Sequence, residues 1–250
     1  MLPDLKIWFN HFEYHAANRR PVPEGLSDIL TPEERQRIAK SVATFQLGEN
    51  SEGRTLLRAA KRFAERHNAE PLVRITELFI REEQHHAALL HGFMEDHQIP
   101  VEPRDWTDQV FRHVRKLAGY ELATSVLISA ELIGNVYYRA LEVATGCRRL
   151  QVLCRMLVSD ELAHVGFESE MLLAVRAQRA MPIRVAMEMA HRLFFLGAAC
   201  VVWFTHRPVL SAAGYRLSPF LRACDAQFGF YLLPPAKRSA AFTASTRTPE

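Results

Sequence analysis

The sequence predicts an all-α fold: a four-helix bundle with a long crossover between its second and third helices, plus an N-terminal helix and a C-terminal fifth helix. Three observations predict it. Apolar residues recur at helical spacing along most of the 250 residues, and no stretch alternates as a strand would. Glycine, proline and asparagine fall at the joints between the periodic stretches. Finally, two E-x-x-H motifs lie on apolar stripes, each on the far side of a turn from a glutamate that also lies on an apolar stripe.

Ile7, Trp8, Phe12 and His15 share helical spacing, so a short helix opens the chain before the proline-bearing linker NRRPVPEG. Thr31, followed by Pro32 and by Glu34 three residues on, is a capping-box start. From there the helical pattern runs to about His67. The turn HNAEP leads into a second helix, about Leu72 to His97, which Pro100 and Pro103 stop. Residues 104–118 look helical and lie in the crossover. A third long helix runs from about Tyr120 to Thr145, with Gly146 as its C-terminal stop. The fourth reaches about Arg179, and Pro182 opens a fifth that ends near Thr205. One further short helix is expected after it, and PPAKRSAAFTASTRTPE is expected to be a mobile tail. The segments are then 1–30 (helix and linker), 31–180 (bundle), 181–233 (helical extension) and 234–250 (tail).

A composition of 48% hydrophobic and 24% charged residues is that of a globular protein. The net charge of +3 is small and the arginines are dispersed, which gives no support for a nucleic-acid partner. Cys147, Cys154, Cys200 and Cys224 form no C-x-x-C pair, and the N-terminus lacks a basic stretch followed by an apolar one. Reduced thiols and a cytoplasmic location are therefore expected. The longest apolar run, Leu193 to Phe204, is shorter than the roughly 20 residues a bilayer span needs. A buried helix is expected there and no transmembrane span, with weak interfacial contact as the lesser reading.

The chemistry lies in REEQHHAALLHGF and SDELAHVGFESEM. Glu83 and His86 share a face with Phe79, Leu90 and Phe93; Glu161 and His164 share one with Leu157 and Leu172. Residues three apart on a helix project to neighbouring points, so each pair can offer a carboxylate oxygen and an imidazole nitrogen to one metal ion. In an antiparallel hairpin the partner of each pair is found by reflection through the turn. Glu52 reflects onto Glu83/His86 through about residue 68, and Glu131 onto Glu161/His164 through about residue 147. The offsets match as well, 31 residues from Glu52 to Glu83 and 30 from Glu131 to Glu161, so the hairpins read as halves related by an approximate two-fold axis. Glu49, one turn before Glu52, is either a rival ligand or a carboxylate standing behind the ligands.

Four buried carboxylates without compensation would each cost several kcal/mol or take up protons. Two divalent ions balance them, and carboxylate with imidazole suits iron or manganese. The pattern resembles the ferritin-like di-iron carboxylate superfamily over residues 35 to 178. That resemblance implies Glu52, Glu83, His86, Glu131, Glu161 and His164 as ligands of two iron ions, or of a manganese and iron pair, with Glu83 and Glu161 or their partners bridging. It also implies an oxidoreductase that uses dioxygen and an unidentified electron donor on a small, apolar organic substrate; a homodimer is the expected assembly. The alternative is a metal-binding or ferroxidase protein without an organic substrate. Ribonucleotide reductase small subunits place a radical tyrosine four residues after the first motif histidine; here that residue is Leu90, which argues against radical generation. The additions at both ends argue against a ferritin-type storage shell.

Other candidates stand around this set. Glu168, one turn beyond His164, is an extra ligand, a proton relay or a solvated glutamate. Tyr138 is placed to hydrogen-bond a ligand carboxylate, or is simply packed. Asp160 is placed to orient a histidine of the opposite half through its ring N–H. Glu82 and His85, on a less apolar face, are expected at the edge or just behind the ligands. His91, His97, His191 and His206 are by default surface or core histidines. Gly134, one turn past Glu131, leaves room beside the site. The bland reading of the whole is a helical bundle with incidental buried polar groups.

Overall fold

The computed structural model describes residues 2–50, 53–102 and 119–233, and all regular structure among them is helical. The elements are α1 (Leu5–Ala17), α2 (Pro32–Glu49), α3 (Arg54–His67), α4 (Pro71–Asp96), α5 (Tyr120–Ala144), α6 (Arg148–Ala177), α7 (Met181–Ala212) and α8 (Leu217–Leu232). The expected helix at 104–118 and the tail from 234 onward lie outside the described residues.

Local signals act where the sequence places them. The Asp4 side chain caps α1 at the Lys6 N–H, and Thr31 and Glu34 form both halves of the capping box on α2. The joint between α5 and α6 is pinned to α2, because the Gly146 N–H donates to Glu34. Arg149 at the start of α6 bridges Asp28 of the linker (2.7 Å) and Asp96 at the end of α4 (2.6 Å).

The helix expected to run from Thr31 to His67 is two helices. α2 ends at Glu49 and α3 starts after Gly53, whose φ of +63° is left-handed and whose missing Cβ makes room for the Ile80 side chain. Periodicity hid the break because α3 carries its own apolar face, Ala59, Ala60, Phe63 and Ala64. The continuous stripe expected from Phe45 to Leu56 and Phe63 is therefore interrupted at Gly53. Glu49 is the last residue of α2, and Glu52 lies outside the described residues. The fifth predicted helix also extends past Thr205 to Ala212 as α7. It bends at His206 (φ −111°, ψ 17°), where Pro208 removes a donor and crowds the preceding turn.

α5 packs along α6, α2 along α4, and α4 meets α6; α7 lies across α2 and α5, and α8 across α5, α6 and α7. The buried apolar residues form two clusters. One gathers Phe12, α3, the first half of α4 and Phe167, Met171 and Val175 of α6. The other gathers most of α5, the second half of α4, the first half of α6, and α7 with α8. On α4 and α6 the stretches carrying the E-x-x-H motifs lie between the two. Among the described residues α7 is the one helix long and apolar enough to cross a membrane by length and composition: an 18-residue window averages 1.5 in hydropathy, with 22% of it buried.

Gly53→Ala should lower stability by about 1–3 kcal/mol, because it adds left-handed strain and a clash with Ile80. Gly92→Ala, inside α4 with open space at its Cβ, should be neutral or stabilising by up to about 1 kcal/mol. Thermal denaturation of the two variants checks the contrast.

Candidate metal centre

α2, α4, α5 and α6 each deliver acidic side chains to one depth. Two groups of four result: Glu49, Glu83, His86 and Glu161, and Glu83, Glu131, Glu161 and His164. Within each group the potential ligand atoms lie within 4.8 Å of one another. Glu83 and Glu161 belong to both. The E-x-x-H spacing presents each pair on one helix face, and the two motif helices meet so that each histidine reaches across. His86 Nδ1 lies 3.2 Å from Glu161 Oε1, and His164 Nδ1 lies 3.0 Å from Glu83 Oε1.

The outer ring nitrogens repeat the reciprocity. His86 Nε2 faces Asp160 Oδ2 at 3.4 Å, and His164 Nε2 faces Glu82 Oε2 at 3.3 Å. Asp160 and Glu82 each immediately precede a motif glutamate, so both halves use the same position to turn the other half's imidazole. α1 and its linker back this layer: Arg20 pairs with Asp160 at 2.7 Å, and His15 lies 3.4 Å from Glu82. Phe12 and Phe79 cover the His164 ring, with centroids 5.8 and 4.3 Å away.

The remaining acids are arranged differently in the two halves. Tyr138 donates to Glu49 Oε1 at 2.6 Å. Glu131 has no neutral donor; Glu168, buried at 3% exposure, stands beside it. Burial raises the pKa values of Glu49, Glu131 and Glu168 well above the usual glutamate range, and neighbouring carboxylates add to the effect. Burial alone would also depress the histidines. The surrounding carboxylates overcome it, pushing His86 up to about 10 and His164 well above its ordinary value. Glu161 is held low against its own burial by His164 and His86. Protons and imidazolium charge are thus drawn to where positive charge is missing.

No protein-family model, curated protein or solved structure matches the chain. The chemistry of the site therefore rests on its donors. Both oxygens of Glu131 and Glu168 Oε2 are buried with no hydrogen-bond partner, and Glu83 Oε1 and His86 Nδ1 meet only the charge contacts at 3.0 and 3.2 Å given above. Buried polar atoms are seldom left so, and here they converge. The donors are carboxylate oxygens and imidazole nitrogens, with no thiolate among them, a set that fits iron or manganese.

Of the residues singled out in the sequence, Glu83, His86, Glu131, Glu161 and His164 come together, Glu49 supplies the α2 carboxylate, and Glu52 lies outside the described residues. Tyr138 reaches Glu49, Asp160 reaches His86, and Glu168 joins Glu131. Sequence reasoning missed His15 and Arg20, whose partners are more than 60 residues away and carry no local signal. Room beside the site is expected at Gly134, which lines the space found there, but the rest of the wall opposite the histidines is not read from the sequence. There a cavity of about 150 Å³ opens over Glu49, Glu83, Glu131 and Glu161, walled by Phe45, Val126, Leu127, Ile133 and Val202. His206 lines it too, held by Ser41 Oγ at 2.7 Å, which also meets the Tyr137 hydroxyl at 2.7 Å.

The raised groups set a pH dependence. Each binds its proton more tightly folded than unfolded, so its contribution is complete below the unfolded value (6.5 for histidine) and disappears as pH rises through the folded one, about 10 for His86. Glu161, shifted the other way, contributes throughout this range and loses its contribution only in more acidic solution. The Tm of metal-free protein should fall as pH is raised from 5 to 10. Saturating Mn2+ should flatten that slope, and metal uptake at pH 7 should release protons. Calorimetry with and without the ion checks both; a metal-free Tm that rises with pH would contradict this electrostatic account.

Proposed function

We propose that the chain is a dioxygen-using oxidoreductase with a ferritin-like bundle of α2, α4, α5 and α6. In this reading two iron ions are held by Glu49, Glu83, His86, Glu131, Glu161 and His164, and the substrate is a small apolar organic molecule. The observation that carries the reading is that two ligand groups of four share Glu83 and Glu161, the arrangement expected of a pair of ions rather than of one. The charge agrees, since Glu49, Glu83, Glu131 and Glu161 balance two divalent ions. The iron pair would supply dioxygen binding and the redox equivalents.

The chain's own groups have definable tasks. Asp160 accepts the Nε2–H of His86, and Glu82 lies 3.3 Å from His164 Nε2, an arrangement that favours the tautomer presenting each Nδ1 lone pair inward. Glu83 and Glu161, which belong to both groups, would supply carboxylate oxygens at the centre of the site. Tyr138 holds Glu49 by a hydrogen bond at the C-terminal end of α2. Glu168 and Glu131 keep a proton in the site where a carboxylate has no neutral donor. Phe45, Val126, Leu127, Ile133 and Val202 exclude water from the side on which the substrate enters. Such an apolar chamber supports an organic substrate over a protein that handles only metal ions.

Protein from iron-replete cells should contain two ions per chain by metal analysis. Glu131→Ala and His164→Ala should each lower that number while circular dichroism stays helical; unchanged stoichiometry in both would rule out this ligand set. Anaerobic ferrous loading followed by air should oxidise the bound ions stoichiometrically, and turnover should depend on an external reductant. Accumulating ferric mineral would favour the metal-handling alternative.

A further inference from the structure

Arg176, near the end of α6, takes no part in the site described above, yet it is 2% exposed. Its Nη2 donates to Ser125 Oγ at 3.0 Å and to His191 Nδ1 at 3.1 Å. Its Nη1 and Nε have no hydrogen-bond partner. The carboxylate facing it, Glu121, is 3.5 Å from Nε and also pairs with Arg179 at 3.3 Å. Glu188, the other acid acting on Arg176, is 3.9 Å from Arg184. Arg176, Arg179 and Arg184 against Glu121 and Glu188 leave one positive charge. His191 adds none: burial and the adjacent guanidinium lower it to about 3, so it stays neutral. A buried guanidinium with free N–H groups and a surplus charge calls for a single anion.

There is space for one. A cavity of about 420 Å³ runs from an exposed rim at Leu122 and Arg179 to a floor of Arg176, Ser125 and His191, walled by Val126, Met187 and Phe194. Val126 also lines the cavity over the carboxylate cluster. Along α5 the first cavity covers Gly119 to Val126 and the second Val126 to Tyr138; along α7 they take Met187 to Phe194 and then Val202 to His206. The two therefore follow one another along α5 and α7, with Val126 common to both. Ser125, which holds the guanidinium, is six residues before Glu131 on one helix, a rise of about 9 Å.

The geometry points to an elongated apolar carboxylate as the molecule these cavities take, its head on Nη1 of Arg176 and its chain passing Val126 into the chamber over Glu49 and Glu131. Charge-assisted hydrogen bonding fixes the head, and the apolar walls select the chain. The inference names the substrate class of the proposed metal centre and rests on that reading only for the chemistry at the far end. Binding itself requires Arg176 and the two cavities.

The test is calorimetric titration of full-length, Mn2+-loaded protein with octanoate, decanoate and dodecanoate and with the matching 1-alkanols. Carboxylates should bind with affinity rising with chain length, and each alcohol at least about tenfold more weakly. Arg176→Gln should lose about tenfold or more for decanoate and little for 1-decanol, with metal content unchanged. Val126→Phe, at the junction of the cavities, should remove the gain from octanoate to dodecanoate while keeping the preference for the acid. Equal binding of decanoate and 1-decanol, or wild-type decanoate affinity in Arg176→Gln, would overturn the inference. Metal loading without carboxylate binding would sink this inference alone; carboxylate binding to a chain that takes up no metal would sink the metal reading alone.

Discussion

The structure is organised around an electrostatic debt: acidic groups from four helices and two imidazoles share a space a few ångströms across, with water largely excluded. Carboxylates so crowded cannot all stay charged unaided. Without a cation the site draws protons instead, which is why both histidines and three of the glutamates hold them so strongly. The two apolar clusters flank this layer and hold the helices at the depth where the acids must meet. α1 and its linker, distant in sequence, close the outer side with Arg20, His15 and Phe12.

Much of this was legible in the sequence because helical periodicity and E-x-x-H spacing are local. The capping box at Thr31, the stop at Gly146 and the faces carrying Glu83/His86 and Glu161/His164 could be read directly. The reflection argument located Glu131, since the α5–α6 joint is short and tight. On the first hairpin the reflection assumes one straight helix, and Gly53 interrupts it. Glu49 meets the acids from the end of α2, and Glu52 lies outside the described residues. An isolated glycine inside an amphipathic pattern is compatible with a continuous helix, and only the packing of Ile80 against it reveals the break.

The tertiary partners were less legible. Asp160 is legible by analogy with carboxylates that orient metal-bound histidines, whereas Glu82 reads equally as an edge residue or as one behind the ligands until its contact with His164 is seen. Arg176 looks in sequence like any basic residue near a helix C-terminus, a position that normally favours exposure. Its burial depends on α7 crossing over α5 and bringing His191 to it, which no local pattern encodes.

The approximate two-fold symmetry is broken in its dressing. On one side Tyr138 donates to Glu49, and Asp160 is backed by the permanently charged Arg20. On the other, Glu168 stands beside Glu131 and burial favours its protonated form, and Glu82 is backed by His15. A pair of cations seated here would accordingly occupy unequal berths, one beside a carboxylate held by a phenol and the other beside a carboxylate that shares its place with a second acid.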